Sequence, residues 1–370
     1  MGIMSKLKIL VTTGIFPPSV GGPATYSKLL LDELPKHGID VKILSFDGVR
    51  SLPKIVRHLV FFLKILVRSG DVSIIYAQDT VSVGLPSACA AKLLGKRFWL
   101  RVPGDYAWEQ SRQRYGVEDS IDDFQTKKYS FAVERLRKIQ RFVASRAQLI
   151  IVPSEYFRKL VSGWVKKPDK VLRIFNGVEL VNIDRKISNK KTIFSSGRLV
   201  PWKGFDLLVD VVLELRQKYP DIELHIAGDG PDKVKLLNKI EEQKAADAVK
   251  LLGFISKDEI RKELSQASVF ALNTGFESFS FAIVEAMWAG VPVVTTNVGN
   301  LKEIVDNGEN GLLVSYNNKR EFISAIEKIL QDPEYTKQIS QAGKEKAKDF
   351  SIGRTLDELV KILKNETNKY

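Results

Sequence analysis

The sequence predicts an α/β protein of two domains, each built on a parallel sheet that helices cover on both faces. A length of 370 residues with 44% hydrophobic residues is enough for two cores. Short apolar strand patterns alternate with helical patterns in both halves of the chain, which is typical of parallel sheets. A polar stretch without periodicity, residues 181–191, separates the two alternations. We therefore expect one domain over residues 1–180 and a second over residues 181–352.

The expected strands give the order of the loops that follow them. In the first domain they lie at residues 8–13, 41–46, 72–77, 98–102, 149–153 and 171–175. In the second domain they lie at residues 192–196, 223–227, 250–254, 269–272, 291–295 and 312–314, and a final helix follows at 354–364. Because ligands of such sheets bind at the carboxyl ends of the strands, the loops after these strands are the places to look for a site.

The positive charge of the chain is confined to its first half. Residues 1–180 contain 29 Lys and Arg against 16 Asp and Glu, whereas the remaining residues contain 28 of each, so the first half carries the net charge of +13. Two basic helical segments, residues 55–68 and 126–146, contribute to it. Each could lie on an anionic membrane surface or simply cover the sheet with a solvated basic face. Nucleic acid is not expected as a partner, since neither aromatic–basic interleaving nor a groove-reading element is visible.

Cysteine and histidine usage argues against disulfides and metal sites. Cys89 is the single cysteine, the three histidines lack metal-ligand spacing, and no Asp-x-Asp motif occurs. No apolar run reaches the ~18 residues that a transmembrane helix needs, and the basic N-terminus runs straight into a strand rather than a signal peptide. We expect a cytoplasmic protein without disulfides and without a Cys- or His-based metal site.

Two loops of the first domain carry candidate binding residues. Gly21 and Gly22 follow the first strand and precede a helix, where glycines let backbone N–H groups approach a ligand. The alternative is a loop that needs unusual dihedral angles. The segment RVPGDYAWE follows the fourth strand and offers Asp105 and Glu109 to a polar acceptor, although Pro103–Gly104–Asp105 also fits a plain turn with Asp105 capping the next helix. The dinucleotide fingerprint GxGxxG is absent, which disfavours a nicotinamide-dependent dehydrogenase.

The first strand of the second domain leads into two cations beside glycines. Arg198 and Lys203 lie five positions apart in SSGRLVPWKGF, next to Gly197 and just before a helix. Arg can grip a diphosphate with two hydrogen bonds and Lys can act as a point charge, so the pair suits that ligand. The alternative is a surface turn with two basic residues.

Two carboxylates flank the start of a later helix in FESFSFAIVEAMWAGVPVVTT. Glu277 lies in a Ser-rich loop, and Glu285 lies eight positions on, among alanines on one face of a helix that should begin near Ser280. The free N–H groups at such a helix start suit a phosphate, while carboxylates suit hydroxyl groups. The alternative is an ordinary capped helix with a stray acid.

Taken in order, GRLVPWKG, IAGDGP, LLGF and ESFSFAIVEAMWAGVPVV resemble the C-terminal domain of glycosyltransferase family 4. IFPPSVGG, VPSEYFRKLV and IFNGV resemble its N-terminal domain, so the resemblance covers nearly the whole chain. It implies the GT-B architecture, two Rossmann-like domains facing across a cleft, with the last helix, 353–370, crossing back to the first domain. It also implies transfer of a sugar from a nucleotide donor with retention at the anomeric carbon and without a required metal.

The resemblance assigns roles to residues at matching positions. Glu285 should bind the ribose hydroxyls, and Glu277 should hold the donor sugar or stabilise the reacting centre. Arg198 and Lys203, together with Gly197, should bind the diphosphate, and Gly22 should lie beneath it. The backbone amides of Phe279, Ser280 and Phe281 should also contact the donor, as should the loop residue Phe254. The acceptor should meet Gly21, Asp105 and Glu109, and the catalytic set is Glu277, Arg198, Lys203 and Asp105.

The implied donor is a uridine or guanosine diphosphate sugar, with uridine favoured. The implied acceptor is a glycan or a lipid-linked molecule, at the inner face of a membrane if the basic first domain binds it. A nucleotide-sugar epimerase on the same fold is the alternative enzyme, and it would act on the donor alone.

Three departures from the family pattern affect these expectations. The family usually has Gly where Ser280 stands, and often a second Gly at Asn300. A His found after the fourth strand in many members is missing around Pro103, so Asp105 is expected to contact acceptor or sugar first and to act as a base second.

Overall fold

The computed structural model of the chain describes residues 7–19, 21–186 and 190–367. It divides into two compact units, Met1–Gly177 with Gly353–Tyr370, and Val178–Ile352. The expected boundary segment, 181–191, includes residues 187–189, which lie outside the described residues. The last three residues of the expected final helix, 368–370, also lie outside them.

The first unit contains a six-stranded parallel sheet, as predicted. Its strands are β1 (Lys8–Thr13), β2 (Asp40–Ser45), β3 (Ile74–Ala77), β4 (Arg97–Arg101), β5 (Leu149–Val152) and β6 (Val171–Arg173). Its helices are α1 (Gly22–Glu33), α2 (Lys54–Arg68), α3 (Gly84–Leu94), α4 (Tyr106–Arg114), α5 (Ile121–Thr126), α6 (Phe131–Arg146) and α7 (Glu155–Ser162). The strand order is β2-β1-β3-β4-β5-β6, so the direction of winding reverses between β1 and β3.

The second unit repeats this arrangement with a second six-stranded parallel sheet. Its strands are β7 (Thr192–Ser196), β8 (Glu223–Ala227), β9 (Val249–Gly253), β10 (Val269–Leu272), β11 (Val293–Thr296) and β12 (Leu312–Val314). Its helices are α8 (Phe205–Leu215), α9 (Lys233–Glu242), α10 (Lys257–Gln266), α11 (Phe281–Trp288), α12 (Leu301–Ile304), α13 (Lys319–Gln331) and α14 (Pro333–Ala347). The order β12-β11-β10-β7-β8-β9 reverses between β7 and β10.

The last helix, α15 (Ile352–Thr367), groups with the first unit from Gly353 onward. The Thr355 hydroxyl donates to the Phe175 carbonyl at 2.9 Å, which attaches the start of this helix to the chain after β6.

Interior strands of both sheets are buried on both faces. All residues of β5, LIIV, and of β10, VFAL, are buried. Near-continuous apolar runs of this kind are what parallel strands require. The strand expectations are confirmed, with boundaries shifted by at most two residues.

One helix prediction is wrong. The basic segment 126–146 is not a single helix, because α5 ends at Thr126 and α6 begins only at Phe131. Arg137 of this segment is buried rather than solvated. Its guanidinium donates to the Glu134 carboxylate at 2.7 Å and to the Lys127 carbonyl at 2.9 Å. Part of the basic charge therefore stabilises packing within the first unit.

No helix within the described ranges is both long and apolar enough to cross a membrane.

Candidate active site

The loops after β7 and β10 meet because these two strands are neighbours in the second sheet. Val269 pairs with Ile193 and Phe270 with Phe194, so the carboxyl ends of the two strands lie side by side. The chain after β7 forms a short 3₁₀ turn, Pro201–Lys203. Two hydrogen bonds join that turn to the loop after β10. The Gly275 N–H donates to the Trp202 carbonyl at 2.6 Å, and the Thr274 hydroxyl donates to the same oxygen at 3.2 Å.

This junction brings Lys203 and Glu277 together. The Lys203 ammonium donates directly to Glu277 Oε1, and only 13% and 11% of the two side chains is exposed. Burial raises the pKa of the Glu277 carboxyl, while the neighbouring Lys203 charge opposes that rise. The sequence pattern predicted both residues for the site but did not show that they would be each other's partner.

Two glycines allow the backbone to approach closely around this pair. Gly204 has a left-handed φ of 45°, and a Cβ there would overlap the Asn273 side chain, whose amide donates to the Gly204 carbonyl at 3.0 Å. A Cβ at Gly228, after β8, would overlap the Gly197 carbonyl. Only glycine fits at these two positions, and the loops after β7, β8 and β10 are thereby held at one edge of the sheet.

Arg198 is the second cation at this edge and differs from Lys203 in its surroundings. Its side chain is exposed, and it makes no hydrogen bond or ion pair with any residue in the described ranges. The guanidinium is therefore available to an external anion, whereas the Lys203 ammonium is held by Glu277.

The start of α11 offers unused backbone donors beside Glu277. Ser280 takes the N-cap position that the sequence predicted, but its hydroxyl makes no capping hydrogen bond. The N–H groups of Ser280 and Phe281 donate to no residue within the part of the chain that the structure describes. The first turn carries no acid, so the positive end of the helix is not neutralised locally. Phe279 packs edge-on against Phe281, with ring centroids 5.3 Å apart, and is itself buried.

Glu285 lines a groove in the second unit. Residues of α10, Trp288 and the chain around Glu179 form the other walls. Burial raises the pKa of the Glu285 carboxyl, whereas the charges of Lys257 and Arg261 oppose the rise. Glu179 is held beside these cations, at 3.2 Å from Lys257 Nζ and 3.6 Å from Arg261 Nη2. The groove therefore offers one half-buried carboxylate among apolar side chains and the charged Lys257, Arg261 and Glu179.

Phe254 directly follows β9 and lies two positions before Ser256, the N-cap residue of α10. Two-thirds of its side chain, 67%, is exposed. An exposed aromatic ring at the carboxyl edge of the sheet can stack on a flat ligand.

In the first unit, Gly21 and Gly22 begin α1 at the switch point after β1. Gly21 occupies the N-cap position with a φ of 149°, and Gly22 is the first helical residue. A Cβ on Gly21 would lie 2.9 Å from Ile15 Cδ1. The φ of Gly21 is one that side-chain-bearing residues rarely adopt, which fits the alternative of a loop that needs unusual dihedral angles. The binding roles of Gly21 and Gly22 stay predictions.

Asp105 is a buried cap rather than an exposed side chain. It lies at the N-cap of α4, and Oδ1 accepts from the Trp108 N–H at 3.0 Å and from Gln140 Nε2 at 3.0 Å. Oδ2 accepts from Gln125 Nε2 at 2.9 Å. None of the residue is exposed. The capping alternative describes this geometry, and contact with an acceptor or action as a base would first require the side chain to become accessible. Glu109, one turn further on, is half-buried with its carboxylate against Gly104.

Arg101 was given no role from the sequence, yet it is a buried cation at the end of β4. Its guanidinium lies 3.7 Å from the centroid of the Tyr26 ring on α1 and donates to Asn176 Oδ1 at 2.6 Å. Only 3% of the residue is exposed. The available signal was the charged residue that directly follows the apolar run FWL of β4.

No group of three or more His, Cys, Asp or Glu side chains that could hold a metal ion occurs among the residues for which coordinates are given.

Comparison with known proteins gives similarity to glycosyltransferases. The model of the family described as Glycosyl transferases group 1 matches residues 179–346. An uncharacterized glycosyltransferase of Methanocaldococcus jannaschii is 29% identical over 378 residues, which is 94% of this chain and 95% of the relative. One from Haemophilus influenzae is 31% identical over 201 residues, 53% of this chain and 56% of the relative. The chain thus spans only about half of the Haemophilus protein.

A human relative, one of the subunits of phosphatidylinositol N-acetylglucosaminyltransferase, is 38% identical over 140 residues, 38% of this chain and 28% of the relative.

Solved structures establish the fold. Anabaena HepE in complex with UDP and glucose matches with a TM-score of 0.77 and 20% identity, over 97% of this chain and 99% of that one. Sucrose-phosphate synthase from Thermosynechococcus elongatus matches with a TM-score of 0.81 and 17% identity, over 98% and 100%. The predicted GT-B fold is confirmed, and the comparisons support a glycosyltransferase of this type.

Proposed function

We propose that the protein is a retaining, metal-independent glycosyltransferase of family 4 that moves a sugar from a nucleoside diphosphate to an acceptor hydroxyl. The observation that carries this proposal is the buried Lys203–Glu277 pair beside exposed Arg198, at the switch point of the second sheet. This edge combines two cations, one carboxylate and two unused helix amides. A sugar diphosphate needs the same combination, since its phosphates are anionic and its sugar presents hydroxyl groups.

In the proposed complex, Arg198 and Lys203 bind the diphosphate together with the N–H groups of Ser280 and Phe281. Binding gives Lys203 a second anionic partner, which loosens its hold on Glu277. The Glu277 carboxylate then accepts hydrogen bonds from the donor sugar. The pair thus keeps both side chains in place before the donor arrives, so that less ordering is needed on binding.

Glu285 is proposed to accept hydrogen bonds from the ribose hydroxyls, and Phe254 to contact the base. Uridine is favoured as the base over guanosine. HepE has a similar fold, and its structure contains UDP, which supports this choice.

The chemical step is electrostatic. The bond between the anomeric carbon and the diphosphate oxygen breaks, and negative charge develops on the leaving group while the sugar becomes cationic. Arg198, Lys203 and the α11 amides stabilise the leaving charge. The acceptor oxygen attacks the face from which the diphosphate departs, and a leaving phosphate oxygen takes its proton. This route to retention requires neither a His nor an accessible Asp105.

The acceptor is proposed to be a glycan or a lipid-linked molecule, bound by the first unit near Gly21 and Glu109. The excess of basic residues in this half supports work at the inner face of a membrane. The human relative, by its name, acts on a phosphatidylinositol. Asp105 enters this proposal as a residue that positions α4.

The test is a thermal-shift screen against nucleotides and nucleotide sugars, followed by a transfer assay with the donor it identifies. A ligand that binds only the folded state raises the unfolding midpoint, by the equivalent of about 2.7 kcal/mol at a hundredfold excess over Kd. Uridine diphosphate should raise it more than guanosine diphosphate, and both more than nucleoside monophosphates. Absence of a shift with every nucleotide diphosphate would contradict the proposal.

Incubating the donor alone separates the transferase from the alternative epimerase. A transferase returns the donor unchanged or slowly hydrolysed, whereas an epimerase converts it to a second nucleotide sugar.

A further inference from the structure

The solvent-facing side of α2 is apolar. Ile55, Leu59, Leu63 and Val67, spaced four residues apart, are 85%, 57%, 51% and 84% exposed, and Val56 beside them is 44% exposed. We call these five residues the α2 stripe. The helix buries a different face against the unit, through Phe61 and Ile65. An ordinary sheet-covering helix would show polar residues at the stripe positions.

Cations border the α2 stripe along one side. At 100° per residue, Arg57, Lys64 and Arg68 fall between the stripe and the buried face. None of the three forms an ion pair with a residue in the described ranges. No acid occurs anywhere in residues 48–70, which contain five Lys and Arg, and of these five Arg50 pairs with Asp47 just outside the segment, at 3.4 Å. The surface therefore combines exposed apolar side chains with uncompensated positive charge.

The apolar surface continues beyond α2. The Lys96 ammonium donates to the Gly70 carbonyl at 3.3 Å, so the C-terminal ends of α2 and α3 lie together. Leu93, in the last turn of α3, is 67% exposed.

The second basic segment lacks this combination. In α6, Arg137 is buried and paired with Glu134, and in the preceding loop Lys127 pairs with Asp119 at 2.5 Å. Exposed aromatic residues occur there, but Phe131 and Phe142 are eleven positions apart and do not form a continuous stripe. Of the two basic segments, only α2 presents a continuous apolar face.

A second copy of this chain is a poor partner for the α2 stripe. Two stripes packed against each other would bring the Arg57, Lys64 and Arg68 borders of both copies together, and no acid of residues 48–70 could compensate them. An anionic lipid surface accommodates both features, because acyl chains take the apolar side chains and phosphate groups take the cations.

We propose that the α2 stripe and its basic border are the surface by which the protein docks on an anionic membrane, with α2 lying in the plane of the headgroups. This inference rests on the proposed membrane-associated function and names the surface responsible. Apolar insertion and charge attraction act together, so weakening either should reduce binding.

The test is sedimentation of the full chain with vesicles of phosphatidylcholine alone or with about one-third phosphatidylglycerol. Wild type should bind the anionic vesicles at low salt and not the neutral ones. The double change Leu59→Ser with Leu63→Ser should weaken binding at least tenfold. The matched control is Val234→Ser with Leu237→Ser, two exposed apolar residues on α9 of the second unit, and it should bind as wild type does.

Charge is tested with Lys64→Gln plus Arg68→Gln against Lys166→Gln plus Lys167→Gln, which remove the same charge from the same unit. The first pair should weaken binding several-fold more than the second. Equal losses of vesicle binding in the two double variants would show that only net charge matters and would overturn the proposal. It would also be overturned if changing only Arg135 and Arg141 of α6 abolished vesicle binding. A concentration-dependent dimer that the Leu59→Ser, Leu63→Ser variant abolishes would also overturn it.

These measurements need no donor and no turnover. If the protein binds nucleotide diphosphates but no vesicles, the docking surface is refuted and the glycosyltransferase proposal stands. If it binds vesicles but no nucleotide diphosphate, only the glycosyltransferase proposal is refuted.

Discussion

Lys203 and Glu277 are 74 residues apart in the chain, yet their side chains form a direct ion pair at the carboxyl edge of the second sheet. The contact exists because the sheet reverses its winding between β7 and β10, which makes the strands that precede the two residues neighbours. Each member limits what the other can do before a ligand arrives. The ammonium charge is balanced by one carboxylate, and the carboxylate is buried beside one cation.

Replacing Lys203 with Ala should lower turnover by about one to two decades. Losing a charge-assisted hydrogen bond to the leaving diphosphate costs roughly 1.5–3 kcal/mol of transition-state stabilisation. The measurement is kcat and kcat/KM with the donor found by the nucleotide screen. Wild-type turnover in this variant would remove Lys203 from the catalytic set.

The same change should also reduce stability, by about 3 kcal/mol, because it leaves the buried Glu277 carboxylate without its cation. Burial raises the pKa of Glu277, and removal of Lys203 removes the charge that opposes the rise. A folded pKa above the unfolded value means that stability falls as pH rises through the folded pKa. The loss should therefore be larger at pH 8 than at pH 5 in urea unfolding.

The control for stability is Lys218→Ala. Its ion pair with Glu327, at 2.8 Å, is solvent-exposed, so its loss should change the free energy of unfolding by less than about 1 kcal/mol at either pH. A Lys203→Ala loss that does not depend on pH would show that packing, rather than the unpaired carboxylate, accounts for it.

Arg198→Ala should separate binding from stability. Because Arg198 is exposed and without a partner in the described ranges, its removal should leave the free energy of unfolding within about 0.5 kcal/mol. Affinity for nucleoside diphosphates should nevertheless fall by about tenfold or more. Calorimetry with uridine diphosphate measures this, and Arg320→Ala, which also removes an exposed arginine of the second unit, should leave affinity unchanged.

Measuring the affinity of wild type and of the Arg198→Ala variant for uridine monophosphate tests whether Arg198 contacts the second phosphate. If Arg198 grips the diphosphate, the variant should lose much less affinity for the monophosphate than for the diphosphate. Equal losses for both would place Arg198 near the nucleoside or would indicate a general charge effect.

Glu285→Gln should weaken binding of uridine diphosphate by about tenfold, because an ionised carboxylate accepts hydrogen bonds from hydroxyls more strongly than an amide does. Burial raises the pKa of Glu285 above the ordinary value of 4.5. Wild-type affinity should therefore decline as pH falls through that raised pKa, while the Gln variant should show no such decline. Glu241→Gln, on exposed α9, is the matched control.

The ribose assignment has its own check in 2′-deoxyuridine diphosphate. Wild type should prefer the ribonucleotide, and Glu285→Gln should largely abolish the preference. A preference that survives the substitution would place the ribose elsewhere than at Glu285.

The sheets and the loops after them could be predicted from the sequence because each buried strand is a short apolar run, as in β5 and β10. The same patterns placed Lys203 and Glu277 at one edge. They could not show that the two residues touch, since contact depends on which strands are neighbours and strand order is not a property of any one segment.

The sequence also could not predict which single polar residues are buried. The turn before α4 fits an exposed Asp105 and a buried one, and only the packing of α5 and α6 against it decides between them. Arg101 closes an apolar strand, but its position over the Tyr26 ring depends on how α1 packs on the sheet.

Asp105→Asn should destabilise the protein by about 1–3 kcal/mol although it is nearly isosteric. Both carboxylate oxygens accept from amide N–H groups, one of Gln125 and one of Gln140. In the Asn variant an NH₂ group replaces one of these oxygens, and this donor then faces another donor. Neither glutamine can rotate to help. The Gln125 oxygen accepts from Trp164 Nε1 at 2.9 Å, and the Gln140 oxygen accepts from the Ala107 N–H at 3.2 Å. A buried donor without a partner costs about this much.

Urea unfolding with parallel turnover measurements decides between a positioning and a chemical role for Asp105. A positioning role predicts lost stability with turnover reduced only a few-fold in the folded fraction. If the variant instead unfolds as wild type does and loses turnover by two decades or more, Asp105 contacts the acceptor or the reacting atoms, and its burial in this structure must be relieved during the reaction.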